Sequence, residues 1–396
     1  MAVMDPPADV DPEPREEGHE HAVTPLELFF DLVFVFAITQ VTALMADDPT
    51  WGGLARGALA LAAVWWAWAA YAWLTNEVDP DRPDVRAAAF AAMVAMLCAS
   101  LALPEAFGEH ALLFALAYFA IRFLHVAVFA AGTDDVDVRQ ATRALAPSAV
   151  FIPLGFVAAA FLDSPGQELA WVAVLALDYV TGGLRGIGGW RLSPGHFVER
   201  HGLIVIIALG ESIVAIGVGA EGSDLGAGEL AAAALGVVTA AALWWTYFDR
   251  IADMGEHALE ARPAGRERNT LARDSFSYLH LAMVAGIVLF ALGMKKTLEH
   301  VEDPLKIVPA LGVAGGVALY LLALVAFEAR NGAPLDRPRL LAAAACGAIV
   351  AVAVALPALV ASAAVAVVCA ALVGYEVTRG AGAPVTGRAH GSVRSP

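Results

Sequence analysis

Phe197–Gly219 reads FVERHGLIVIIALGESIVAIGVG. As a helix rising 1.5 Å per residue, this run is about 34 Å long, enough to cross a hydrocarbon core roughly 30 Å thick. After its first five residues it holds one charge, Glu211. A carboxylate at the bilayer centre costs about 2.5–3.5 kcal/mol on insertion scales, so it is rarely there without a partner or a task. The run reads as a membrane helix with one costly residue near the midplane.

The rest of the chain follows the same pattern. It has 396 residues, 59% hydrophobic and 16% charged, with a mean hydropathy of +0.67. That is well above the apolar share of a soluble domain. Besides this run, taken as span seven at 199–219, bilayer-length apolar segments fall near 26–46, 53–74, 86–103, 111–130, 143–162, 168–186, 229–249, 276–294, 307–328, 339–356 and 358–376. They are too long and alanine-rich for barrel strands. The expected fold is all-α: a polytopic transmembrane helix bundle of about 12 spans. Pro357 divides the last two, which also read as one re-entrant pair.

Residues 1–23 are acidic and proline-containing, and read as a disordered cytoplasmic tail without a signal-peptide pattern. Residues 377–396 read as a second tail. The net charge of −16 and the lack of a basic face argue against a nucleic-acid partner. Cys98, Cys346 and Cys369 lie in apolar runs without metal-site spacing and read as packing residues. No P-loop, HExxH, CxxC or Ser-His-Asp pattern asks for a cofactor, a metal or catalysis.

Topology follows from the basic residues. Of 24, Arg56 and Arg122 lie within spans, and Lys295, Lys296 and Lys306 lie in connections on one side. The other nineteen, all arginines, lie on the opposite side. By the positive-inside rule that side is cytoplasmic, which places both termini there. The connection 250–275 is cytoplasmic too, and reads as a solvated extension of the eighth helix.

The chain also repeats itself. ELFFDLV at Glu27–Val33 and ERHGLIV at Glu199–Val205 both open a span. Trp65, Trp66 and Trp68 match Trp244, Trp245 and Tyr247 one span later, and AMVA recurs at Ala92–Ala95 and Ala282–Ala285. Asp178-Tyr179 and Tyr375-Glu376 close the two sixth spans. The reading is two parallel six-helix repeats, 24–186 and 187–376, related by an axis along the membrane normal.

Several ionisable groups sit where lipid would penalise them. Thr24, Pro25 and Glu27 form a capping box, so Glu27 has a structural role open to it. Asp31 lies one turn deeper on the same face, where no cap explains it. Glu211 lies about 18 Å beyond Glu199 along one helix. Ser212 adjoins it, and Gly210, Gly217 and Gly219 leave room for another backbone. Thr39 and Gln40 are the repeat equivalents of Glu211 and Ser212. Arg122 and His125 share a face of span four, with Asp178 at comparable depth and His280 one to two turns into span nine. Glu199 and His201 lie near the cytoplasmic end of span seven. The expectation is one polar cavity, with Arg122 as countercharge to Asp31 and Glu211. The Trp pairs read as interfacial or packing aromatics.

TPLELFFDLVFVFAIT at Thr24–Thr39 and ERHGLIVIIALGESIVAIG at Glu199–Gly217 resemble the bacterial low temperature requirement A proteins, and YLHLAMVAGIVLFALGM at Tyr278–Met294 is similar to a third stretch of that family. The resemblance implies a polytopic bacterial membrane protein and supports Glu27, Asp31, Glu199, His201, Glu211, Ser212 and His280 as motif members. It implies no particular activity. The six-plus-six layout is also similar to that of the major facilitator transporters, but NEVDPDRPDVR lacks their glycine-and-basic signature and the long connection follows span eight. Two functions fit: a secondary transporter of the bacterial inner membrane, coupled to protons or cations and carrying a small solute or ion, and a non-transporting sensor or assembly factor whose charges form a fixed network.

The charge bias makes the first prediction. Reporter fusions at residues 1 and 396 should both report the cytoplasm; a periplasmic C-terminus would mean an odd number of crossings.

Overall fold

A computed structural model describes residues 23–78, 82–132, 136–184, 189–221 and 225–380. Apart from Val23 the expected acidic tail lies outside the described residues, as does the C-terminal tail beyond Gly380.

The described residues form a helical bundle. The first half holds α1 (Pro25–Asp47), α2 (Trp51–Glu77), α3 (Pro83–Ala102), α4 (Ala111–Gly132), α5 (Val136–Phe151), α6 (Leu154–Ala159) and α7 (Gly166–Leu184). The second holds α8 (Pro194–Gly219), α9 (Ala227–Phe248), α10 (Ile251–Glu260), α11 (Arg266–Ala272), α12 (His280–Glu299), α13 (Ile307–Ala310), α14 (Gly316–Arg330), α15 (Arg337–Ala353) and α16 (Ala358–Gly380). π-helical turns at Arg273–Leu279 and Leu311–Gly315 lead into α12 and α14.

Local chemistry fixes the helix starts. Thr24 accepts a hydrogen bond from the Glu27 amide, and the Glu27 carboxylate accepts one from the Thr24 amide at 2.9 Å. Proline occupies the first turn of α3 and α8, where a missing N–H costs nothing. Asp336 caps α15 by accepting from the Arg339 amide at 3.0 Å.

Nine helical segments among the described residues are long and apolar enough to cross a membrane: 25–47, 51–77, 83–105, 111–129, 194–219, 227–260, 266–299, 307–330 and 358–379. The other three expected spans correspond to shorter or more polar helices. The segment 143–162 is divided into α5 and α6, with Pro147 inside α5 and Pro153 between them. Proline removes a backbone donor and clashes with the preceding turn, which breaks a helix. α7 carries Gln167, Glu168 and Asp178, and α15 has 17 residues.

α1 packs on α2, α3, α8 and α12, and α8 packs on α9 and α12. α3 lies against α4, α12 against α14, and α9 against α16. The connection 250–275 is not a solvated arm. Ile251, Leu259, Leu271 and Ala272 are buried, and α10 packs on α8 and α9. Its apolar face pulls the segment onto the bundle.

α12 and the turn before α14 approach each other closely. A Cβ at Gly286 would lie 2.6 Å from the Gly316 carbonyl oxygen, and one at Gly312 2.7 Å from the Leu289 carbonyl oxygen. Gly312 and Gly316 form a GxxxG pair, whose small surface lets backbones meet in lipid. Gly210 and Gly217, expected to serve this purpose on α8, have open space around them; only Gly219 is tight, against the Lys295 backbone.

Overpacking a closed contact costs typically 1–3 kcal/mol. Gly286→Val should therefore lower stability by about 2 kcal/mol or more, while Gly347→Ala, whose added methyl meets nothing within 4 Å, should be nearly neutral. Thermal melts of both variants in detergent check this.

Candidate functional site

The α1–α8 contact holds a cluster of buried charge. Arg200 is 0% exposed; its Nη1 lies 3.1 Å from Glu27 Oε1 and its Nη2 2.9 Å from Asp31 Oδ1. His196 Nε2 stands 3.1 Å from Glu27, and the Trp68 indole N–H donates to Asp31 at 2.9 Å. Each helix supplies its pair four residues apart, Glu27 with Asp31 and His196 with Arg200, so both pairs face the shared seam. Glu27 thus caps α1 and joins the ion-pair set. Arg200 is a buried charge that the sequence does not mark as one. Counted as a cytoplasmic charge, it was legible only through its spacing from His196. Glu199, one residue away, is exposed and accepts from the Val23 amide at 3.1 Å.

Arg122 faces Asp178 at 3.1 Å, both buried. His125, also buried, holds the Ala70 carbonyl at 3.0 Å through Nε2. A carbonyl accepts, so Nε2 carries the hydrogen and Nδ1 presents a lone pair. These three residues line a cavity of about 120 Å³ among α2, α4, α5 and α7.

Glu211 is different. It is 2% exposed, and Thr39 Oγ1 donates to it at 2.5 Å across the α1–α8 seam. No arginine, lysine or histidine within salt-bridge distance meets it among the described residues; Lys295 acts on it only through space. Ser212 beside it is fully buried, with no partner for its hydroxyl. Gln40 is half-buried.

His280 receives the Tyr247 hydroxyl at 2.8 Å on Nε2 and donates from Nδ1 to the Ser275 carbonyl at 2.9 Å. That carbonyl, five residues back, is placed by the π-helical turn, a distortion often found at functional sites. His201 lies beside it, ring centres 5.2 Å apart, and donates from Nδ1 to the Phe197 carbonyl. Its Nε2 is buried without a partner against Trp68 and Phe276.

A further cluster escaped the sequence reading. Arg339 is 0% exposed and holds Glu376 at 2.8 Å, Glu328 at 3.1 Å and the Thr246 carbonyl at 3.2 Å. It tied α9, α14, α15 and α16 together while reading as a loop charge, because its helix begins only two residues earlier.

The single cavity expected from sequence therefore resolves into separate sets. Asp31 takes Arg200 as countercharge, not Arg122, and Glu211 takes a hydroxyl. Trp65 and Trp68 are buried donors inside the bundle rather than interfacial residues, Trp65 N–H reaching the Ser277 carbonyl at 2.7 Å.

The family model described as bacterial low temperature requirement A protein matches residues 22–374. The chain belongs to the bacterial low temperature requirement A family. It is also similar to an uncharacterized protein of Rhizobium meliloti (strain 1021), 31% identical over 310 residues, covering 74% of each chain. No solved structure matches. In this low temperature requirement A protein, the match takes in the Arg200 clamp, Glu211, His280 and Arg339.

Arg200→Met would strand two buried carboxylates. Breaking a buried pair costs about 3–5 kcal/mol. The expected outcome is a large fall in melting temperature in detergent, with partial recovery when Glu27→Gln and Asp31→Asn are added. A single variant that melts with the wild type would show that the clamp contributes nothing.

Proposed function

We propose that this protein is a secondary transporter of the bacterial inner membrane, coupled to protons or cations. The observation that carries this reading is the state of Glu211. Asp31, Asp178, Glu328 and Glu376 are each held by a buried arginine, but Glu211 is met by the hydroxyls of Thr39 and Thr42. A clamped carboxylate cannot change its charge without abandoning a partner in low dielectric. A carboxylate facing a hydroxyl can, because the hydroxyl either donates to the anion or accepts from the acid. Intramembrane acidic groups of this kind mark ion and proton pathways.

The reading includes twelve spans in two parallel repeats with cytoplasmic termini. Several contacts support it. Thr39 and Glu211, related by the repeat offset of 172, meet each other, as residues beside a two-fold axis would. Helix neighbours recur in order: α1 with α3 and α8 with α12, α3 with α4 and α12 with α14, α2 with α7 and α9 with α16. The turn after α15 bonds to the connection after α12, Ala358 N–H to Asp303 at 2.9 Å and Leu359 N–H to Val301 at 3.0 Å. Those bonds favour α15 and α16 as two full crossings. The partners are the bilayer and a small solute or ion, with no covalent step catalysed.

The alternative, a non-transporting membrane factor, draws support from the Arg200 and Arg339 clusters, whose charges are mutually engaged. The discriminating experiment uses protein reconstituted in vesicles loaded with a pH-sensitive dye and exposed to pooled small solutes. Wild-type vesicles should show solute-dependent proton movement, and Glu211→Gln should abolish it while melting normally. Undiminished movement in Glu211→Gln would remove Glu211 from the mechanism; none in either protein would favour the fixed-network reading.

A further inference from the structure

The surroundings of Glu211 bear on which ion it can take. The residue is 2% exposed, on the seam where α8 meets α1. Thr39 Oγ1 stands 2.5 Å from its Oε2 and 3.1 Å from the Val35 carbonyl oxygen. Thr42, also buried, bonds to Glu211 and lies 3.2 Å from the Ile38 carbonyl oxygen. Each hydroxyl therefore has two acceptors and one hydrogen to give.

That arrangement satisfies Glu211 in both charge states. As an anion it receives the Thr39 and Thr42 hydrogens. As an acid it donates its own hydrogen to Thr39 Oγ1. The threonines then turn theirs to the carbonyls four residues earlier on α1, a bond that helical threonines make readily. Hydroxyl rotation alone separates the two states. No ion pair breaks, and no helix has to move.

A metal cation finds much less. Hard cations take about six oxygen ligands or more. In membrane bundles, coupling-ion sites draw some of these from the carbonyls of unwound helices. Here α1 runs unbroken from Pro25 to Asp47 and α8 from Pro194 to Gly219, so the carbonyls at this level are engaged within their helices. The Ser212 hydroxyl, next in the chain, makes no bond to Glu211. That leaves one carboxylate and two hydroxyls. Among the described residues, no group of three or more His, Cys, Asp or Glu side chains is placed to hold a metal ion.

Charges on the neighbouring helices do not change this balance. Lys295, half-buried on α12, acts on Glu211 only through space. Asp31, two turns below Thr39 on α1, is held by Arg200 of α8. The charges of α2 and α9 sit near their ends, at Arg56, Glu77 and Glu229, and those of α10 lie beyond the cytoplasmic end of α9.

We propose that the coupling ion of this protein is the proton, carried by Glu211 between two threonine hydroxyls, and that sodium and potassium are excluded from the site. The assignment rests on the transporter reading as regards coupling; proton binding at Glu211 is measurable without transport.

The test uses full-length protein in detergent and dicyclohexylcarbodiimide, an apolar reagent that adds to protonated carboxylic acids and not to carboxylates. Mass spectrometry locates the adduct. Glu211 should be labelled, at a rate that falls as pH rises, whereas Asp31 and Asp178, held by arginines, should not. Replacing choline chloride by sodium or potassium chloride at constant ionic strength should leave the rate unchanged. At a pH where the wild type labels slowly, Thr39→Val should raise the rate about tenfold by withdrawing a donor from the anion. Thr39→Ser, which keeps the hydroxyl, should not. Infrared spectra supply a second readout: a carboxylic acid band that fades with rising pH and is missing in Glu211→Gln. Protection by sodium or potassium, a Glu211 that neither labels nor gives an acid band at any pH, or equal rates in Thr39→Val and Thr39→Ser would overturn the assignment. Cation-independent proton binding, in a protein whose vesicles move no protons, would leave the proton site standing and remove the transporter reading. Sodium protection together with solute-dependent sodium movement would do the reverse.

Discussion

Arg200 has no exposed surface, and two carboxylates of a different helix close around it. A guanidinium in a helical membrane bundle is tolerated only when its charge is met and its donors are directed at acceptors. Glu27 and Asp31 meet it from α1, His196 shares Glu27, and Trp68 brings α2 to Asp31. The contact thereby sets the rotation of α1 and α8 about their axes and their relative height. Thr39 then faces Glu211 one level up, and His201 faces the aromatic residues at the head of α12.

Arg339 plays a comparable part at the other flank, drawing Glu328, Glu376 and the Thr246 carbonyl together. Between these clusters the bundle closes on glycine, with α12 meeting the Gly312–Gly316 turn backbone to backbone. In lipid, apolar faces gain nothing from leaving water, so association relies on close packing and on polar pairs. The structure uses both: packing where Gly286 and Gly316 meet, and ion pairs where arginines are buried.

Against this framework, Glu211 and the Arg122 cavity stand apart. One is a carboxylate without a basic partner in contact; the other is an ion pair, Arg122 with Asp178, that borders an open space of about 120 Å³. Fixed clusters explain how the bundle holds together.

The sequence by itself determined the helical membrane character, the positions of most long helices and the capping of α1, because hydropathy and capping are properties of residues near in the chain. It marked Asp31, Glu211, Arg122, Asp178 and His280 as costly, since burial in a bilayer penalises charge whatever surrounds it. It did not reveal that Arg200 and Arg339 are buried, because each lies within the first turns of a helix, where a charge reads as solvated. It did not reveal the break between α5 and α6, because an apolar run containing Pro147 and Pro153 has the composition of a span. Only the tertiary structure decided the pairings, Arg200 with Asp31, Arg122 with Asp178, Thr39 with Glu211. Hydropathy fixes how deep a residue lies; which charges meet depends on how helices distant in sequence are rotated and placed against one another.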